Sequence, residues 1–138
     1  MVDLPRLHIG LTGRAELTVA AAHTAPEIGS GQIKVLATPV MINLMEAAAL
    51  DAVEALLPDG HQSLGIRLDV THVAATPVGM RVEATARVTG IEKRKISFHV
   101  EARDECDLIG EGTHERVVVN VARFDARLEE KMAIIKAR

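Results

Sequence analysis

Thr38-Pro39-Val40-Met41-Ile42-Asn43-Leu44-Met45-Glu46-Ala47-Ala48-Ala49-Leu50-Asp51-Ala52-Val53-Glu54-Ala55-Leu56-Leu57-Pro58-Asp59-Gly60 is the stretch on which the fold turns. Thr38 followed by Pro39 reads as an N-cap and a first-turn proline, whose fixed φ suits a helix start and whose missing N–H costs nothing there. Val40 to Leu57 is rich in Ala, Leu and Met, and Pro58-Asp59-Gly60 ends it, which predicts a helix of about five turns. Asn43, Glu46, Asp51 and Glu54 are the only polar side chains between Pro39 and Leu57. At about 100° per residue, Asn43, Asp51 and Glu54 share a stripe about 80° wide, the expected wet face. The remaining circumference is apolar, so this helix needs a sheet that wraps it rather than one it merely lies on.

On either side the period changes to two. Ala15, Leu17 and Val19 alternate with Glu16 and Thr18 over Ala15 to Ala20, the pattern of a half-buried strand, whereas Ala21 to Gly31 carries Pro26, Gly29, Ser30 and Gly31 and reads as a loop or irregular segment. After the helix, Gly65 to Val73 places Ile66, Leu68, Val70 and His72 on one face. Pro77-Val78-Gly79 turns the chain into Arg81 to Thr89, where Val82, Ala84, Ala86 and Val88 share a face. Charged turns at Gly90 to Lys95 and Asp104 to Asp107 flank a strand with Ile96, Phe98, Val100 and Ala102 in phase, and Leu108 to Val121 is a further long strand. Phe124, Leu128, Met132 and Ile135 then recur at helical spacing, predicting a terminal amphipathic helix. Short turns between strands imply antiparallel neighbours. The expected architecture is α+β: one domain over residues 1–138, a long central helix wrapped by a curved antiparallel sheet of about five strands. Such a sheet has exposed edges, which a second copy of the chain would cover.

Composition narrows the function. The 138 residues are 48% hydrophobic and 25% charged, enough apolar surface for a core, with no internal repeat or low-complexity stretch. Aromatic content is 1%, with Phe98 and Phe124 alone, so neither a base-stacking platform nor an aromatic cage is expected. The net charge of −3 is spread along the chain, and no basic footprint for nucleic acid results. Cys106, flanked by Asp104, Glu105 and Asp107, reads as an inert thiol. Met1 to Arg6 has no basic and then apolar leader and no window is apolar enough to span a membrane, so the protein is expected in the cytoplasm, without membrane attachment.

Few groups remain for chemistry. Glu46 lies at the margin of the wet stripe with Ile42, Ala49, Leu50 and Val53 as its helical neighbours. Two readings stand: a solvated charge, or a carboxylate held at a cleft as base or nucleophile. His72 shares the register of core residues and is either a hydrogen-bonded core histidine or a catalytic one, and the small residues Val73 to Pro77 after it suit a ligand near the backbone. There is no G-x-S-x-G, no phosphate loop and no H-E-x-x-H, and His8, His23, His61, His99 and His114 show no metal-type pairing. Gly110 and Gly112, inside an alternating strand, read as close packing against the long helix. The candidate site is therefore a helix carboxylate, a histidine on the next strand and a hydroxyl at the helix start, with no metal or cofactor required.

Ala37 to Glu46, Ser63-Leu64-Gly65, Val70-Thr71-His72-Val73-Ala74-Ala75-Thr76-Pro77-Val78-Gly79 and Gly110-Glu111-Gly112-Thr113-His114-Glu115-Arg116 together resemble the hot dog fold thioesterases, in the branch of the fluoroacetyl-CoA thioesterases. The resemblance runs from about Val19 to Arg127 and implies acyl-CoA hydrolysis by a homodimer, with the site near the subunit interface. By position it implies catalytic roles for Thr38, Glu46 and His72 and substrate contacts for Gly65 and Arg116. Glu46 would attack the thioester carbonyl or activate water, His72 would move protons, Thr38 would hydrogen-bond the carboxylate or acyl oxygen, and a main-chain N–H near Gly65 would hold the oxyanion. Thr38 and Glu46 are eight residues apart, about 12 Å of helical rise, so they meet only if the helix starts irregularly or the site combines chains. Where the fluoroacetyl-specific enzymes carry lid phenylalanines before the catalytic threonine, Gly29 to Leu36 has none. A more open pocket is expected, taking a short, branched or aromatic acyl-CoA without preference for fluoroacetate. The competing readings are a non-catalytic acyl-CoA or small-acid binding module and a hydratase on the same fold.

Overall fold

The computed structural model describes residues 3–138, so the first two residues of the stretch read above for a leader lie outside it. Strand β1 (Thr12–Thr18) leads through a 3-10 turn (Ala21–His23) and a one-turn helix α1 (Ala25–Ile28) to α2 (Thr38–Val53), which closes in a 3-10 turn (Glu54–Leu56). Strands β2 (His61–Val70), β3 (Arg81–Glu92), β4 (Lys95–Asp104) and β5 (Leu108–Asn120) follow, and α3 (Val121–Lys136) ends the described chain. The five strands form one antiparallel sheet in the order β1-β3-β4-β5-β2, curled about α2. No helix among the described residues is long and apolar enough to cross a membrane.

The alternation read from β3 and β4 is the alternation found. Val82, Ala84, Ala86 and Val88 of β3 and Ile96, Phe98, Val100 and Ala102 of β4 are all buried, and Met41, Met45, Ala48, Ala49 and Val53 of α2 are buried with them in one cluster. Small side chains let the helix settle close to the sheet. A Cβ on Gly13 of β1 would stand 2.2 Å from the Ala48 carbonyl oxygen, so no side chain fits where β1 crosses α2.

Several expectations change. The short turn at residues 77–79 does not make neighbours of β2 and β3: β2 pairs with β5, and β3 lies between β1 and β4. The N-cap of α2 is Ala37, not Thr38; Thr38 is the first helical residue and its hydroxyl makes no cap, being engaged elsewhere. The α-helix is shorter than read, passing into the 3-10 turn at Glu54 ahead of Pro58. Strand β1 starts earlier, at Thr12, and Ala25–Ile28 forms a turn of helix where a loop was expected. Strand β2 begins at His61 and carries a bulge between Gly65 and Arg67, so Ile66 leaves the inward register and is 54% exposed while Ser63 is buried. Gly110 and Gly112 admit chiefly the backbone beside them, a Cβ meeting the Thr71 carbonyl oxygen at 2.3 Å and the Asp69 carbonyl oxygen at 2.0 Å, and only Gly110 also borders the helix, at the Met41 sulfur 2.7 Å away.

Candidate active site

The candidate residues form two groups. In the first, the Thr38 hydroxyl, freed from capping at the start of α2, lies 2.7 Å from His72 Nδ1, just beyond the end of β2. His72 Nε2 is buried and has no hydrogen-bond partner among the described residues. Burial pushes the imidazole below the usual histidine range, with the Ala74 backbone opposing it. A neutral histidine bonded through one nitrogen, with the other unpaired, is the form that accepts or relays a proton. Thr38 and His72 line a cavity of about 380 Å³ together with Ser30, Gln32 and Ile33, the segment without aromatic residues, and with the small residues Ala74 and Ala75.

The second group is built on the inward face of β5. His114, Arg116 and Val118 are all buried on that face, and the bulge in β2 brings Gly65 opposite Arg116. Arg116 Nη1 donates to Glu46 Oε2 at 3.3 Å and to His114 Nε2 at 3.2 Å, its Nε donates to Ser63 Oγ at 2.8 Å, and its Nη2 donates to the Ser63 carbonyl at 3.1 Å. A guanidinium only donates, so His114 Nε2 accepts and the ring is neutral, its Nδ1–H donating to the Arg67 carbonyl at 2.9 Å. Burial is the largest cause of the lowered His114 pKa; the Arg67 carbonyl opposes it, the Arg116 charge adds to it, and the Glu46 and Glu115 carboxylates oppose it. His114 also stacks on Phe98 with ring centroids 5.7 Å apart, which gives one of the two phenylalanines a structural task.

Glu46 thus faces an arginine rather than the apolar surroundings that its helical neighbours suggested, and its side chain stays 35% exposed while that of Arg116 is 6% exposed. Gly65 is what leaves it room: a Cβ there would stand 2.7 Å from Glu46 Oε2. The main chain at Gly65 and Glu46 Oε2 are therefore immediate neighbours. Among the described residues no hydrogen bond joins this group to the Thr38–His72 pair.

Sequence reading did not single out Ser63 and His114, which hydrogen-bond Arg116, or Glu54, which hydrogen-bonds Ser63. The signal was present for His114 and Arg116, because both share the parity of Gly110, Gly112 and Val118 and so fall on the inward face of β5. Ser63 was hidden by the bulge, which breaks the parity of β2. The described residues also bring His99, Glu101 and Glu111 together with ligand-type atoms within 4.8 Å, but on the outward face of the sheet, away from Glu46 and His72. A larger groove of about 1350 Å³ beside α3 contains none of the candidate residues.

Residues 19–122 match the family described as fluoroacetyl-CoA-specific thioesterase. The fluoroacetyl-CoA thioesterase of Streptantibioticus cattleyicolor is 44% identical over 98 residues, 71% of this chain and 70% of that protein. A threonine-to-serine variant of a fluoroacetyl-CoA thioesterase, solved with acetyl-CoA, is 34% identical with a TM-score of 0.85, covering 91% of this chain and 98% of that chain. A hot-dog-like protein from Thermanaerovibrio acidaminovorans shares the fold at 24% identity, with a TM-score of 0.81 over 89% of this chain and 91% of that chain.

Proposed function

The chain belongs to the fluoroacetyl-CoA-specific thioesterase family, and on that premise we propose that it cleaves a small acyl-CoA thioester at a site completed by two copies of the chain. Thioester hydrolysis itself comes with the family; the residues, the partner copy and the acyl group are the proposal. The observation that carries it is that one chain presents an ion-paired carboxylate, open beside a glycine, and, in a separate group, a neutral histidine whose second nitrogen has no hydrogen-bond partner among the described residues.

Glu46, set by Arg116, attacks the thioester carbonyl or takes a proton from water that does. The carbonyl enters over Gly65, where the absence of a side chain lets it reach a main-chain N–H as negative charge develops on oxygen. In the covalent route water then opens the Glu46 acyl anhydride; in either route the water's proton passes through His72 and ends on the CoA thiolate, and Thr38 fixes the ring through Nδ1. The helix is regular from Thr38 onward, which leaves Thr38 and Glu46 about 12 Å apart along one α2. That supports a site in which Thr38 and His72 of one copy face Glu46 of the other. The exposed outer edge of β2, next to Gly65, supplies the surface for such a pairing.

The cavity wall at Ser30, Gln32 and Ile33 supports an acyl group bulkier than fluoroacetyl. Thiol release over a panel of short, branched and aromatic acyl-CoA esters tests the reading. We expect turnover of several and no strong preference for fluoroacetyl-CoA over acetyl-CoA; a strong preference would overturn the open pocket, and tight binding without turnover would point to a binding module.

A further inference from the structure

Glu54 belongs by its spacing to the solvent stripe of α2, yet in the folded chain it turns to β2 and takes both hydrogens that Ser63 can offer on that side. Its Oε1 accepts from the Ser63 hydroxyl at 2.5 Å and its Oε2 from the Ser63 main-chain N–H at 3.0 Å. An ionised carboxylate has only acceptors, so it claims the single hydroxyl hydrogen and leaves the Ser63 oxygen nothing to offer but lone pairs. Those meet Arg116 Nε at 2.8 Å, while the Ser63 carbonyl meets Arg116 Nη2 at 3.1 Å. Two donors of a planar guanidinium are thereby held by one residue, which fixes where the third, Nη1, points. Nη1 is the nitrogen that meets Glu46 Oε2. Ser63 and Arg116 are each 5% exposed, so water does not compete for the bonds between them.

We propose that Glu54 and Ser63 are positioning residues for thioester hydrolysis: Glu54 sets the Ser63 hydroxyl, Ser63 sets the Arg116 fork, and the fork sets the Glu46 oxygen that faces the substrate. The inference rests on Glu46 being the reacting carboxylate.

The test is a kinetic cycle on the full chain, with melting temperatures measured alongside. Ser63→Ala lowers kcat about tenfold with KM little changed, the mark of a misplaced reacting group rather than lost ground-state binding. Ser63→Thr, which keeps the hydroxyl, restores kcat to within about threefold. In the Arg116→Lys background, where no fork remains to be set, Ser63→Ala costs less than about twofold further. Glu54→Gln reads the same chain from its other end and follows the same non-additive pattern. A wild-type kcat in Ser63→Ala, a loss equal in both backgrounds, or a Ser63→Thr no better than Ser63→Ala overturns the proposal. Glu46→Gln is assayed in parallel: a wild-type rate there defeats the catalytic reading itself, whereas an inactive Glu46→Gln beside a fully active Ser63→Ala defeats only the positioning chain.

Discussion

His114 and His72 carry the pH dependence at the scale of single residues. Both are held below the usual histidine range, chiefly by burial, so at mildly acid pH the unfolded chain binds more protons than the folded one. Their contribution to stability is present in full above the unfolded value of about 6.5 and is lost as pH falls from there toward the folded values. We expect the melting temperature to decline on acidification below about pH 6.5, and His114→Gln to flatten that decline while leaving part of it to His72. Titration of the melting temperature by calorimetry checks this; an unchanged slope would mean that His114 is not held neutral. The catalytic assignment has its own test. Glu46→Gln and His72→Ala should each reduce thiol release by about a hundredfold or more, while leaving the far-ultraviolet circular dichroism unchanged. Gly65→Ala should reduce it as well, because the added Cβ would stand 2.7 Å from Glu46 Oε2.

Among the elements, the strands were the most legible part of the sequence. Every second residue from Val82 to Val88 of β3 and from Ile96 to Ala102 of β4 is buried where the alternation put it, because a strand in a single sheet layer has one face for the core and one for water. The ends of elements were less legible, since competing partners decide them. Thr38 has the side chain of an N-cap but spends its hydroxyl on His72, which only the return of the chain after β2 brings within reach. The face assigned to Ile66 failed at a bulge that pairing with β5 creates, and the same bulge brings Gly65 opposite Arg116. The contact of β1 with α2 has a direct test. Gly13→Ala would place a Cβ 2.2 Å from the Ala48 carbonyl oxygen, so the backbones must separate. A loss of about 2 kcal/mol or more is expected by denaturant titration; an unchanged midpoint would mean that β1 lies further from the helix.

At the scale of the whole molecule, a site shared by two copies makes a prediction that a self-contained site does not. Glu46→Gln and His72→Ala chains are each inactive, but mixed after unfolding and refolding together they form mixed pairs in which one of the two sites keeps both residues. With random pairing about a quarter of wild-type activity returns. No recovery beyond the sum of the separate variants, in pairs shown to be mixed, would place Glu46 and His72 in the same copy's site.

What the sequence determined by itself was the wrapped helix, the strands and their antiparallel sense, and the residue types of the chemistry; the order in which the strands pair was not among them. These follow from local periodicity, turn residues and a few polar groups in apolar surroundings, all carried by neighbours along the chain. Tertiary structure alone decided what those groups face. Glu46 meets an arginine 70 positions away, Ser63 couples that arginine to Glu54, and Thr38 meets a histidine 34 positions away. Such pairings depend on strand register and on a single bulge, and a one-residue shift turns every side chain to the other face.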